Sequence, residues 1–145
     1  MLLKRFLLAA SMLLTVTACT HDAAATLSPP EAYARVQAGT LTLIDVRHAD
    51  EWRETGVARG ALRIDMTNTQ GEAGFVRQVM TQMSGDRNAP IGLLGLSSNR
   101  AGNASKVLRG AGFTRVFVIQ EGMLGSSGGP GWIARGLPVD PCPDC

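Results

Sequence analysis

From residue 28 onward, short apolar runs alternate with stretches in which apolar residues recur every three or four positions. The runs read as strands: Leu41 to Val46, β-rich and ending in charge, then Ala61 to Asp65, Ile91 to Leu94 and Arg115 to Ile119. Between them lie helix signals. Ser28-Pro29-Pro30-Glu31 offers a serine cap, proline in the first turn and an early acid, and Gly39 stops the helix. A helical turn is predicted over Ala49 to Glu54, closed by Gly56. In FVRQVMTQM, residues Phe75, Val79 and Met83 share one helical face; in the helix predicted over Ala101 to Arg109, Ala104, Val107, Leu108 and Ala111 fall at inward spacings. The glycine-rich SSGGPG (126–131) reads as a flexible connection, since it does not join a strand to a helix.

Alternating strands and helices predict an α/β domain with a mainly parallel central sheet and right-handed crossovers. Ligands in such sheets bind beyond the carboxyl ends of the strands. Three segments are predicted to converge there: Val46-Arg47-His48, the loop 95–100 and Gln120-Glu121-Gly122.

The start of the 145-residue chain obeys a different pattern. Lys4 and Arg5 precede an apolar block from Phe6 to Thr17, the layout of a secretory signal, and too short for a permanent membrane span. Val16-Thr17-Ala18-Cys19 resembles a bacterial lipobox, which predicts a signal over residues 1–18 and a lipid on Cys19. By likeness to known lipoproteins, Thr20 rather than aspartate after that cysteine favours an outer membrane, with the protein facing the periplasm. Residues 19–27 are then a tether. Loss of residues 1–18 takes away Lys4 and Arg5 and no acid, leaving a chain of zero formal charge. With no basic stripe and few aromatics, nucleic-acid binding has no support.

The stretch IGLLGLSSNRAG (91–102) is the strongest candidate site. Gly95, Leu96, Ser97, Ser98, Asn99 and Arg100 form a small, turn-prone loop, predicted to open a helix near Arg100. Curled backbone N–H groups, a helix N-terminus and the Arg100 guanidinium would together make an anion cradle. The loop has neither the glycine spacing nor the lysine of a Walker loop. Asn99 also breaks the nucleophile-elbow pattern.

At these residues the sequence resembles the rhodanese domain. LIDVRHADEWRETGVARGALRIDM is similar to its first half, and NRAGNASKVLRGAGFTRVFVIQEGMLG followed by GWIARGLPV to its second. The likeness covers residues 28–139, leaving 140–145 as a tail. It implies a rhodanese-like α/β fold with helices on both faces of the sheet, and a sulfurtransferase ancestry with no cofactor and no metal. In that family a cysteine at the strand end carries persulfide sulfur in a six-residue loop closed by arginine. Counting back from Asn99-Arg100 puts Gly95 at the cysteine position, Leu96 where arginine is common and Ser98 where glycine is common. Glycine cannot form a persulfide. If the position of Ser98 needs positive φ, serine there is strained. The resemblance also implies an Arg47–Glu51 ion pair. Trp52 reads as a packing anchor, and Asp45 as a buried acceptor of N–H groups.

Two rescues of chemistry compete. Cys142 and Cys145 form a CPDC motif like that of some thiol oxidoreductases. However, Asp144 and a terminal carboxylate disfavour a thiolate, and the family topology places GLPV near the sheet end opposite the loop. Two cysteines are too few ligands for a metal. A Ser97 or Ser98 nucleophile with His48, oriented by Asp45 or Asp50, lacks a supporting motif. The expectation is therefore a lipid-anchored module that binds a small anion (thiosulfate or sulfate) or a protein. The alternative is a thiol enzyme working through Cys142 and Cys145.

Overall fold

A computed structural model describes residues 24–67 and 70–145. The expected signal segment, Cys19 and the first part of the expected tether lie outside the described residues. No helix among the described residues is long and apolar enough to cross a membrane.

The elements follow in chain order. Strand β1 (Ala25–Leu27) precedes helix α1 (Pro29–Gln37), then β2 (Thr42–Asp45), α2 (Ala49–Thr55), β3 (Val57–Ala58) and β4 (Leu62–Arg63). Helix α3 (Gly71–Gln82), β5 (Ile91–Leu94), α4 (Ser98–Gly110) and β6 (Val116–Ile119) complete the main body. The pairs β7 (Gly125–Ser126) with β8 (Gly129–Pro130) and β3 with β9 (Val139–Asp140) are short antiparallel ladders.

Five parallel strands form the central sheet in the order β1-β6-β5-β2-β4. Its central strands are apolar at nearly every position because both faces are covered. Period-two alternation then divides each strand between two cores. Ile44, Leu93 and Val118 turn to a face shared with Phe75, Val79, Ala104 and Leu108 of α3 and α4. Leu43, Leu94 and Ile119 turn to the other, with Ala32 of α1, Met123 and Trp132. Trp132 is fully buried, meets Tyr33 edge to face, and gives its indole N–H to Pro138 O at 2.9 Å. Helices on both faces are thus an outcome of the strand pattern.

Several expectations are revised in detail. Residues 25–27, expected in the tether, pair with β6, and Leu27 is buried at 4 % exposure. The SSGGPG segment supplies a hairpin rather than a loose connection: Gly125 and Gly129 hold φ of 110° and 141°, which only glycine takes without strain. Helix α1 starts as expected, with Glu31 accepting from both the backbone N and the Oγ of Ser28. The helix after β5 begins at Ser98, earlier than expected, and that shift reshapes the candidate site.

Candidate functional site

The carboxyl end of β2 is built around one buried cation. Asp45 and Arg47 are two residues apart, so the strand pleat sends them to the same side. Both are fully buried. The Arg47 guanidinium meets Asp45 at 2.7 Å and gives its remaining N–H groups to Thr55 Oγ1 (2.7 Å) and Gly56 O (2.8 Å). Arg47 therefore nails the end of α2 onto the sheet edge. The expected Arg47–Glu51 ion pair does not form: Arg47 reaches only the Glu51 backbone carbonyl, at 3.4 Å. Asp45 is closer in the pleat and has both oxygens available to the guanidinium.

The Glu51 carboxylate instead serves α4. It accepts from the guanidinium of Arg100 and, at 2.8 Å, from the backbone N of His48, the residue preceding α2. Burial pushes Glu51 upward, but the hydrogen bonds from Arg100 and His48 outweigh it and hold the carboxyl below its ordinary value. The first turns of α2 and α4 are thereby linked. The cation expected to face an anion is already neutralised.

Between β5 and α4 only Gly95, Leu96 and Ser97 remain outside regular structure. Ser98, Asn99 and Arg100, expected in the cradle, are the first three residues of α4. The strain expected at Ser98 does not arise: among the described residues, Ser84 is the one non-glycine with positive φ. The three-residue junction is sewn to the chain after β6. Met123 N donates to Gly95 O at 2.9 Å and Leu124 N to Leu96 O at 3.1 Å. Gly122, at φ 63°, makes this approach possible; a Cβ there would lie 2.8 Å from Leu96 O. At Gly95 a Cβ would lie 2.7 Å from Ser97 O and 3.3 Å from Ala101 N. These are backbone atoms, so the junction has no room for a side chain at Gly95.

His48 is engaged by residues that follow β4. Its Nδ1 lies 3.1 Å from Asp65 Oδ2 and 3.1 Å from Thr67 Oγ1. The orienting acid is Asp65, beyond β4, rather than Asp45 or Asp50. Asp65 is pushed up by burial but held lower overall by His48 and by the N–H and hydroxyl of Thr67. The geometry brings no Ser-His-Asp array together. Glu121 is another buried acid at this edge; it faces Arg135 at 3.7 Å, and its Oε2 has no partner among the described residues. Trp52 is an anchor as expected, buried at 8 % exposure.

The tail takes a path that sequence reasoning missed. Val139 and Asp140 pair with Ala58 and Val57, and the Arg59–Asp140 ion pair (2.9 Å) reinforces the ladder. The chain then runs back toward the carboxyl end of the sheet, where Cys142 and Cys145 are joined in a disulfide. Arg63, in register with Asp45, touches both sulfurs, so the tail reaches the functional end of the sheet after all. It arrives beside edge strand β4, two strands from Leu94, which is also in register with Asp45. That separation is about 10 Å at the usual strand spacing. No sequence signal marks Arg63 as a partner of residues 79 and 82 positions away.

A five-stranded parallel sheet with helices on both faces places the candidate site at a strand-to-helix junction on its carboxyl edge, the architecture of an α/β domain. Residues 28–127 match the family described as the rhodanese-like domain, and the chain belongs to that family. Solved structures agree. The chain is similar to Rv0390 from M. tuberculosis, at 28 % identity over 82 % of this chain and 98 % of that one, with a TM-score of 0.63. It is similar to the polysulfide-sulfur transferase homodimer of Wolinella succinogenes, at 27 % identity over 81 % of this chain and 78 % of that one, TM-score 0.60. A thiosulfate sulfurtransferase from Pseudomonas aeruginosa shares the fold at 18 % identity, TM-score 0.63, matching 81 % of this chain and 20 % of that one. No curated protein matches the chain in sequence.

Proposed function

We propose that this rhodanese-like domain is a binding module that does not carry sulfur at its β5–α4 junction. One observation carries the reading: a Cβ at Gly95 would lie 2.7 Å from Ser97 O, so neither a nucleophile nor space for one exists there. Counting back from Asn99-Arg100, Gly95 is the residue in the family's cysteine position, and sulfur transfer by persulfide needs a thiolate at that atom.

The ligand class is set by charge and exposure. Arg100 is spent on Glu51, which weakens the case for sulfate or thiosulfate. Leu124 is 54 % exposed and follows the junction through its bond to Leu96 O; Ile133, 39 % exposed, is bonded to the neighbouring Met123 O. Two exposed large apolar side chains beside a sealed junction favour a protein partner. The lipobox-like Val16 to Cys19 supports the same picture of a module lipid-anchored to a bacterial membrane and facing the periplasm. The test is a thiosulfate:cyanide sulfurtransferase assay of the full chain. Activity at the level of family enzymes would overturn the reading if it survived Cys142→Ser and Cys145→Ser together.

A further inference from the structure

The cysteine pair lies outside the junction described above. The disulfide joins residues with a sequence separation of 3, and so small a ring restrains little of the unfolded chain. The β3–β9 ladder and the Arg59–Asp140 ion pair already hold the segment in place. Pro141, Pro143 and Asp144 are exposed, and both cysteines are half-buried. The covalent link is thus neither buried in the core nor needed to fasten the tail.

It has a cation instead. Arg63 Nη1 lies 2.9 Å from Cys142 Sγ and also contacts Cys145 Sγ, while its guanidinium sits over the Trp52 ring at 5.9 Å. A guanidinium adds little to two neutral sulfurs and much to a thiolate leaving from one of them. The nearest paired acid does not cancel it: Asp140 is held by Arg59. Asp144, within the ring, opposes a thiolate there, and the contact of Arg63 with both sulfurs offsets it. Two cavities flank the bond, of about 350 Å³ beside Arg53 and Glu54, and about 190 Å³ beside Ala58 and Gly60. Cys142 lines both, so a partner has access to its sulfur.

We propose that Cys142–Cys145 is a thiol–disulfide exchange site for a dithiol-bearing protein, with Arg63 holding the departing thiolate. A partner thiolate attacks Cys142 Sγ. The Sγ–Sγ bond breaks, and its electron pair leaves on Cys145 as a thiolate held by Arg63. The partner's second thiol, once deprotonated, attacks its own sulfur in the mixed disulfide and releases Cys142. The partner departs as a disulfide, oxidised by two electrons; the two protons it gave up end on Cys142 and Cys145.

Dithiothreitol serves as the probe dithiol, and maleimide mass shifts report the redox state of the full chain. The expected result is reversible reduction with the thermal unfolding midpoint unchanged. Arg63→Gln should slow reduction about fivefold, because a poorer leaving thiolate departs more slowly. Arg63→Lys should recover part of the rate, and Lys106→Gln, an exposed cation on α4, should leave it unchanged. In the reduced protein, alkylation of the cysteines should need a higher pH in Arg63→Gln than in the parent. A disulfide that resists excess dithiol, reduction that unfolds the domain, or equal rates for parent and Arg63→Gln would each overturn the proposal.

Discussion

Replacing Gly95 by alanine tests whether the junction is closed, and replacing it by cysteine tests what that closure means. A Cβ at this position meets Ser97 O at 2.7 Å and Ala101 N at 3.3 Å, both backbone atoms that cannot rotate away. Overpacking of this kind costs about 1–3 kcal/mol. The backbone at Gly95 lies outside the positive-φ region, so loss of glycine's unfolded-state freedom returns about 0.4–1 kcal/mol. The net loss is about 1–2 kcal/mol, or about 3–6 °C in thermal midpoint for a domain of this size. Gly95→Cys should lose at least as much as Gly95→Ala, because its sulfur must find room beyond a Cβ that already clashes. Calorimetry of both variants measures the loss, and a thiosulfate:cyanide assay of Gly95→Cys checks for restored chemistry. An alanine variant as stable as the parent, or a cysteine variant that turns over thiosulfate, would refute the argument that the junction is sealed.

Other consequences are equally direct. Asp45→Ala strands the fully buried Arg47 cation and should destabilise the fold by about 3–5 kcal/mol in urea titration, far more than removal of the exposed Arg59–Asp140 pair. Glu51 and Asp65 both hold folded-state values below their ordinary ones, so their stabilisation is present above the unfolded values of about 4.5 and 3.8. It is lost as pH falls through the lower folded values, and a pH series of unfolding midpoints should show that decline. Arg100→Ala removes the hydrogen bond that lowers Glu51 and should make the acid decline shallower, because the Glu51 contribution to it is lost. Sulfate or thiosulfate at millimolar concentration should leave the thermal midpoint of both parent and Arg100→Ala unchanged, since Arg100 is engaged by Glu51 and the junction binds no anion.

Strands β2, β5 and β6 could be read from their apolar runs because both faces of each are covered, and a buried strand leaves a contiguous signal. Strand β1 could not. Its three residues, Ala-Thr-Leu, bury only Leu27, and an edge strand that short looks like a linker. The hairpin at 125–130 was hidden because glycine, which permits its tight backbone, is also the mark of a loose one. At the site, the residues Asp45, Arg47, Glu51 and Arg100 could all be named in advance, but their pairing could not. Whether Arg47 takes Asp45 or Glu51 depends on reach and direction at the end of a strand. The closing of Gly95 against Ser97 is a backbone contact between neighbours, and the composition of the loop says nothing about it.

The ladder between β3 and β9 has a consequence for the order of folding. Its Arg59–Asp140 bond joins residues 81 apart, so it pays a large loop-closure cost and forms only when the intervening sheet exists. The Cys142–Cys145 bond spans three residues and can form in a chain that has folded nowhere else. Oxidation therefore says nothing about maturity, whereas the arrival of Arg63 at those sulfurs does. A half-finished chain and a finished one carry the same covalent bond, and the speed at which a thiol opens it becomes a clock for completion of the domain.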